Sequence, residues 1–251
     1  MIALSWEEFL IIATALAAGG LTKGLTGMGL PSVSIPIMAS VLGVQRAVLT
    51  LIIPIVVSNL WLSWANRDCR NDVPELPRLL LFGLPGAAAG AGVLYLASEQ
   101  MLATLLAVWI AAYLLLRLAH PNFSLSGAAR RRYSPAVGVT AGALQAATGI
   151  SAPVLAPYLD ALGLSPRSYV FAVATAFAAL AGTHLMVLLI FRAYSLQQLF
   201  ESSLAVIPAL LFVPIGSWLR EFLPIHAFGI VIRILLLVMA VRLIIGAWFS
   251  G

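Results

Sequence analysis

The stretch "GLTKGLTGMGLPSVSIP" (20–36) carries the chain's one lysine, Lys23, among four glycines and two prolines, between apolar segments at 8–24 and 30–44. A helix that ends exposes unpaired carbonyls, and one that starts exposes unpaired N–H groups. Glycine permits a turn and lets a ligand approach the backbone, and proline fits the first turn of a new helix. Thr26-Gly27-Met28-Gly29-Leu30-Pro31 therefore reads as a helix break and restart, with the N–H groups of the new half-helix facing a cavity. In hydrocarbon such groups must be met by protein, water or ligand.

The surroundings are those of a membrane. Of 251 residues, 62% are hydrophobic and only 9% charged, and mean hydropathy is +1.04. A soluble domain carries roughly a quarter charged residues, so this chain has too little polar surface to face water. A β-barrel would alternate apolar and polar residues in strands of ~10; long unbroken apolar runs exclude it. The apolar segments lie at 8–24, 30–44, 46–65, 78–97, 101–119, 136–149, 152–164, 168–191, 203–219 and 226–248. A spanning helix needs ~20 apolar residues, so 30–44, 136–149 and 152–164 are too short and predict half-helices or re-entrant helices. Cys69 stands alone, which excludes an internal disulfide and a cysteine metal cluster. "MIALSWEEFL" lacks the basic start of a cleaved signal, so the first apolar segment is read as part of the mature protein. The net charge of +5 sits in short connections and reflects orientation, not nucleic-acid binding. Arg67, Arg70, Arg78, Arg117, Arg130, Arg131, Arg132, Arg167 and Arg220 fall on one side, predicted cytoplasmic. Both termini then lie outside.

A second stretch matches the first. "GALQAATGISAPVLAP" (142–157) pairs Gly20 with Gly142, Lys23 with Gln145, Thr26 with Thr148, Gly27 with Gly149, Gly29 with Ser151 and Pro31 with Pro153. After short slips, Pro36 pairs with Pro157 and Gly43 with Gly163. The expected fold is an all-α polytopic membrane protein of two five-segment repeats. Residues 1–119 form the first, 120–135 a basic cytoplasmic linker and 136–251 the second. Five is odd, so the copies enter from opposite sides, the inverted arrangement found in many secondary transporters.

This pattern, G-x-x-(K)-G-x-T-G-x-G followed by a short apolar segment and repeated past a basic central loop, resembles the TauE/SafE family over nearly the whole chain. The resemblance implies a two-halved inner-membrane permease for sulfite, organosulfonates or other sulfur-containing anions. Where the family has a triple glycine, this chain has "GMGLP" and "GISAP", which leaves the substrate open.

Two facing helix N-termini form a ready anion site. The expected substrate-binding residues are Lys23, Thr26, Gly27, Gly29, Ser32, Gln145, Thr148, Gly149 and Ser151, meeting near the bilayer midplane. Lys23 would place a mobile charge at the edge of that site; the alternative is a lysine snorkelling to the surface. Asn59 and His184, mid-helix, either line the pathway, His184 with a proton-coupling role, or pack helix to helix. The run Gly83, Gly86, Gly90 gives a small-residue packing face, and Asp160 is a candidate partner for Arg167. The function read here is secondary transport of a small anion by alternating access. The alternatives are a passive anion channel, a membrane subunit of a larger complex, or, remotely, an intramembrane enzyme. Against the enzyme stand the absence of G-x-S-x-G, HExxH and paired intramembrane acids. No GxxxxGK(S/T) loop indicates ATP hydrolysis, and no cofactor or metal is called for. The expected partners are a small anion and the bilayer; a coupling proton or sodium ion and a homo-oligomer stay open.

Overall fold

A computed structural model describes residues 5–26, 28–119, 127–219, 222, 234, 237–246 and 248. All regular structure among them is helical: α1 Trp6–Thr26, α2 Leu30–Leu42, α3 Val44–Ala65, a 3₁₀ helix Arg67–Asp72, α4 Leu76–Leu96, α5 Glu99–Ala119, α6 Gly127–Thr148, α7 Ala152–Asp160, α8 Pro166–Ile190, α9 Leu196–Leu204, α10 Val206–Leu219 and α11 Leu237–Gly246. Five stretches are long and apolar enough to cross a membrane: Trp6–Leu25, Val44–Ala65, Leu76–Leu96, Pro166–Ile190 and Leu196–Leu219. Helices are forced by the medium, because only internal hydrogen bonds satisfy the backbone in lipid.

Helix breaks fall at both glycine–proline motifs, between α1 and α2 and between α6 and α7. Gly29 (φ 118) and Gly149 (φ 73) adopt left-handed conformations at these breaks, where a side chain would be strained. Each short helix has a proline in its first turn, Pro31 in α2 and Pro153 in α7. Left-handed glycines also follow the short helices, Gly43 (φ 86) after α2 and Gly163 (φ 66) after α7.

Two boundaries depart from the expected segments. Helix α6 starts at Gly127, so Arg130, Arg131 and Arg132 form its opening turns and not a loop. Arginine is a good helix former, and a helix that leaves the membrane has no need of apolar residues. Helical structure also precedes 203–219, as the polar α9, and is interrupted at Ala205. Pro208 explains the interruption: its ring lacks an N–H and crowds the carbonyl four residues back, at Leu204.

The chain forms two compact units. One contains Met1–Pro54, Ala97–Arg117 and Leu196–Gly251; the other contains Ile55–Leu96 and Leu118–Ser195. In the first, α1 packs against α2 and along α10. In the second, α4 packs along α6, and α8 lies against α4. Small residues set both long contacts, as is usual where lipid supplies no drive for helix association. A Cβ on Gly20 would stand 2.8 Å from the Ala209 carbonyl, and one on Gly216 would meet the Leu21 carbonyl. In the second unit, Gly142 lies against the Gly83 carbonyl and Gly90 against the Ala143 carbonyl. The pairing of Gly20 with Gly142 also pairs Leu21 with Ala143. One shift along the chain then carries Gly83 to Ala209 and Gly90 to Gly216. The face Gly83, Gly86, Gly90 is thus a packing surface, applied to α6.

Candidate functional site

The two breaks lie in different units. In the first unit, Lys23 sits in the last turn of α1 and is only 4% exposed, beside Gly24, where an added Cβ would meet the backbone of Val213 and Ser217 in α10. The turn ahead of it is tied to α2: the Ser34 hydroxyl donates to the Ala15 carbonyl at 2.7 Å, over Gly19, which has room for no Cβ. Gly29 begins α2 with Pro31 behind it, and the Val33 N–H closes the first turn on the Gly29 carbonyl at 3.1 Å. Ser32 is half-buried. Gly27 and the Thr26 side chain lie outside the described residues.

In the second unit the break is drawn in more detail. The Gly149 N–H still donates to the Gln145 carbonyl at 2.9 Å, and then the left-handed Gly149 turns the chain. The Thr148 hydroxyl donates to the Leu144 carbonyl at 2.8 Å and accepts from the Ile150 N–H at 3.3 Å. The Ser151 hydroxyl donates to Gln145 Oε1 at 2.6 Å. That bond uses the amide oxygen of Gln145 as acceptor. Gln145 is 2% exposed, and Thr148 and Ser151 are fully buried. The α7 turn closes with Val154 and Leu155 N–H groups on the Ser151 carbonyl, and the N–H groups ahead of them have no intrahelical acceptor. Four predicted residues, Gln145, Thr148, Gly149 and Ser151, thus share one polar turn at a helix start.

Asn59 and His184 belong to this same unit. Asn59 Nδ2 donates to the Ile55 carbonyl at 2.8 Å within α3. His184, on α8, is 1% exposed, and its Nε2 has no hydrogen-bond partner among the described residues. Among the described residues, no group of three His, Cys, Asp or Glu side chains could hold a metal ion. His120 and His226 lie outside the described residues.

Hydroxyl groups, an amide and a left-handed glycine gather at the start of α7, and one buried lysine lies at the end of α1 in the other unit. A family model described as Sulfite exporter TauE/SafE matches residues 11–243. The chain belongs to the TauE/SafE family. TauE/SafE membership makes it a multi-pass membrane transporter of a family that handles sulfite and related sulfur anions. No curated protein and no solved structure matches it.

Several buried or charged contacts of this TauE/SafE protein were not foreseen. The Glu99 carboxylate, at the start of α5, accepts from the Val44 N–H and from the Gln45 N–H at 3.3 Å, capping α3. Asp72 accepts from the Ser168 hydroxyl at 2.5 Å in the first turn of α8. Arg46 joins Glu8 at 2.5 Å and Glu201 at 3.8 Å. Arg167, expected beside Asp160, pairs with Asp68 at 3.9 Å. An acidic residue at a helix start is the signal that finds Glu99; Asp72, at the end of the 3₁₀ helix, carries no such signal, and the partners themselves are too far along the chain to be read.

Proposed function

We propose that this protein is a secondary transporter of sulfite or of a sulfur-containing organic anion, working by alternating access, with the anion received at the starts of the short helices α2 and α7. One observation carries the reading: the polar turn of Gln145, Thr148, Gly149 and Ser151, buried behind a left-handed glycine, at a helix start whose amides favour negative charge. The matching start of α2, with Gly29 in the same role and Lys23 buried one turn before the break, supports it. The equivalent glycine contacts of α1 with α10 and of α6 with α4 support an inverted duplication, in which each half carries one such helix start. Lys23 supplies positive charge in one half, and neutral Gln145 takes its place in the other. The basic ends of α4 and α6 face the cytoplasm of a bacterial inner membrane, with both termini outside. The driving gradient is one of protons or of sodium ions.

Proteoliposomes test this. Saturable, gradient-driven sulfite accumulation is expected, and it should be abolished in Gly149→Val. Rapid, non-saturating flux would make the protein a channel, and no sulfite movement under any gradient would refute the substrate.

A further inference from the structure

Ser151 occupies the N-cap of α7, where a serine ordinarily turns its oxygen to an N–H of the first turn. Here no side-chain bond caps the helix. The Ser151 hydroxyl instead donates to Gln145 Oε1, six residues back, at 2.6 Å. The Thr148 hydroxyl is engaged as well, donating to the Leu144 carbonyl and accepting from the Ile150 N–H. A hydroxyl has one proton, so neither side chain has one left for a ligand. The backbone offers little more. The Val154 and Leu155 N–H groups close on the Ser151 carbonyl, and Pro153 has no N–H. Among the described residues, the N–H groups of Ser151 and Ala152 complete no hydrogen bond. Gln145 is 2% exposed and bonds Ser151 through its oxygen, which leaves Nε2, with two protons, as the open pole of the amide. Oxygen and nitrogen share one carbon, so Nε2 stands at the same helix start.

We propose that Ser151 is a positioning residue and not a ligand: by holding Gln145 Oε1 it turns the amide so that Nε2, together with the N–H groups of Ser151 and Ala152, receives the anion. Turned over, the amide would set Nε2 against the hydroxyl and leave the buried Ser151 proton without its acceptor, which is costly. The orientation decides the sign of the site, because an amide oxygen repels an anion and an amide N–H binds it. Gln145 stands where the other half has Lys23, and it has no formal charge to override a wrong turn. A serine used in this way also leaves the first amides of α7 uncapped and open to a ligand. On the transporter reading above, on which this assignment rests, the second half holds its substrate by neutral donors alone. Three such groups within one turn fit an oxyanion with several acceptor oxygens, such as sulfite.

Calorimetric titration of the full chain in phosphatidylcholine nanodiscs, with sulfite as the probe, tests this. Ser151→Ala should weaken binding about fivefold, and Ser151→Thr, which keeps the hydroxyl, should recover most of that loss. Gln145→Leu should weaken binding about tenfold or more. In the Gln145→Leu background, Ser151→Ala should have no further effect, because it acts only through the amide. Gln145→Glu keeps an acceptor for the Ser151 hydroxyl but has no N–H to offer, and should bind no better than Gln145→Leu. A Ser151→Ala loss that persists beside Gln145→Leu would make Ser151 a direct ligand. Wild-type affinity in Ser151→Ala or in Gln145→Glu would make the bond mere packing. Each of these results overturns the proposal, as does a wild type that binds no sulfite. Should Ser151→Ala fail to insert, Gln145→Glu decides. Failure of the transport reading looks different: binding follows the expected variant pattern while sulfite flux in proteoliposomes is nil.

Discussion

Lys23 is where composition and chemistry meet. In a chain with 13 arginines and one lysine, the lysine sits 4% exposed in the turn before a helix break. A charge at membrane depth costs ~2.5–3.5 kcal/mol on insertion scales, so a polar setting has to offset it. Lys23→Ala should weaken calorimetric sulfite affinity about tenfold or more, while Arg131→Ala, exposed at the start of α6, should change it little; equal affinities would remove Lys23 from the site. Ser34→Ala removes the bond to the Ala15 carbonyl and should lower stability by about 1 kcal/mol, read as a reduced Tm with binding retained. At this scale the sequence speaks when a residue is out of place: a lysine in an apolar run, glycines beside a proline. It is silent on Glu99, whose role depends on Val44 and Gln45, partners far along the chain.

Among the elements, the two breaks were legible because glycine and proline act locally, through φ and a missing N–H. Gly149 has φ 73, a region that a β-branched side chain all but never enters. Gly149→Val should therefore eliminate sulfite uptake while the protein still inserts, with a lower Tm; uptake at the wild-type rate would mean that this turn does not line the path. Glu99 offers a test on stability alone. Its carboxylate meets the exposed amides of α3, and Glu99→Gln should cost about 0.5–1 kcal/mol, with sulfite affinity unaltered. The starts of α6 and α9 were not legible for one reason. Hydropathy reports where a segment enters lipid, whereas a helix continues for as long as its hydrogen bonds do. The arginines of α6 and the glutamines of α9 lie in that difference.

For the whole molecule, the expectation of an all-helical membrane protein followed from composition, which is a global property, and the family match over residues 11–243 agrees with it. How the ten segments group was not readable, since helix contacts depend on faces that an apolar run does not distinguish. If the halves are duplicates, equivalent glycines should respond alike: Gly90→Leu and Gly216→Leu should lower Tm by similar amounts, and a large effect from only one would argue against equivalence. Orientation can be checked on a Cys69→Ala background, where Arg131→Cys should react with an impermeant thiol reagent from the cytoplasm only and Gln197→Cys from outside only. The glycine-lined pairs have a further consequence. Helix α1 rests on α10, and α4 on α6, so each pair joins a strand of chain from before residue 120 with one from after it. Split between 119 and 127, the polypeptide would yield two fragments, each with an orphaned partner-seeking surface. Produced singly, each should be cleared by membrane proteases; produced together, they should rescue one another and restore sulfite movement.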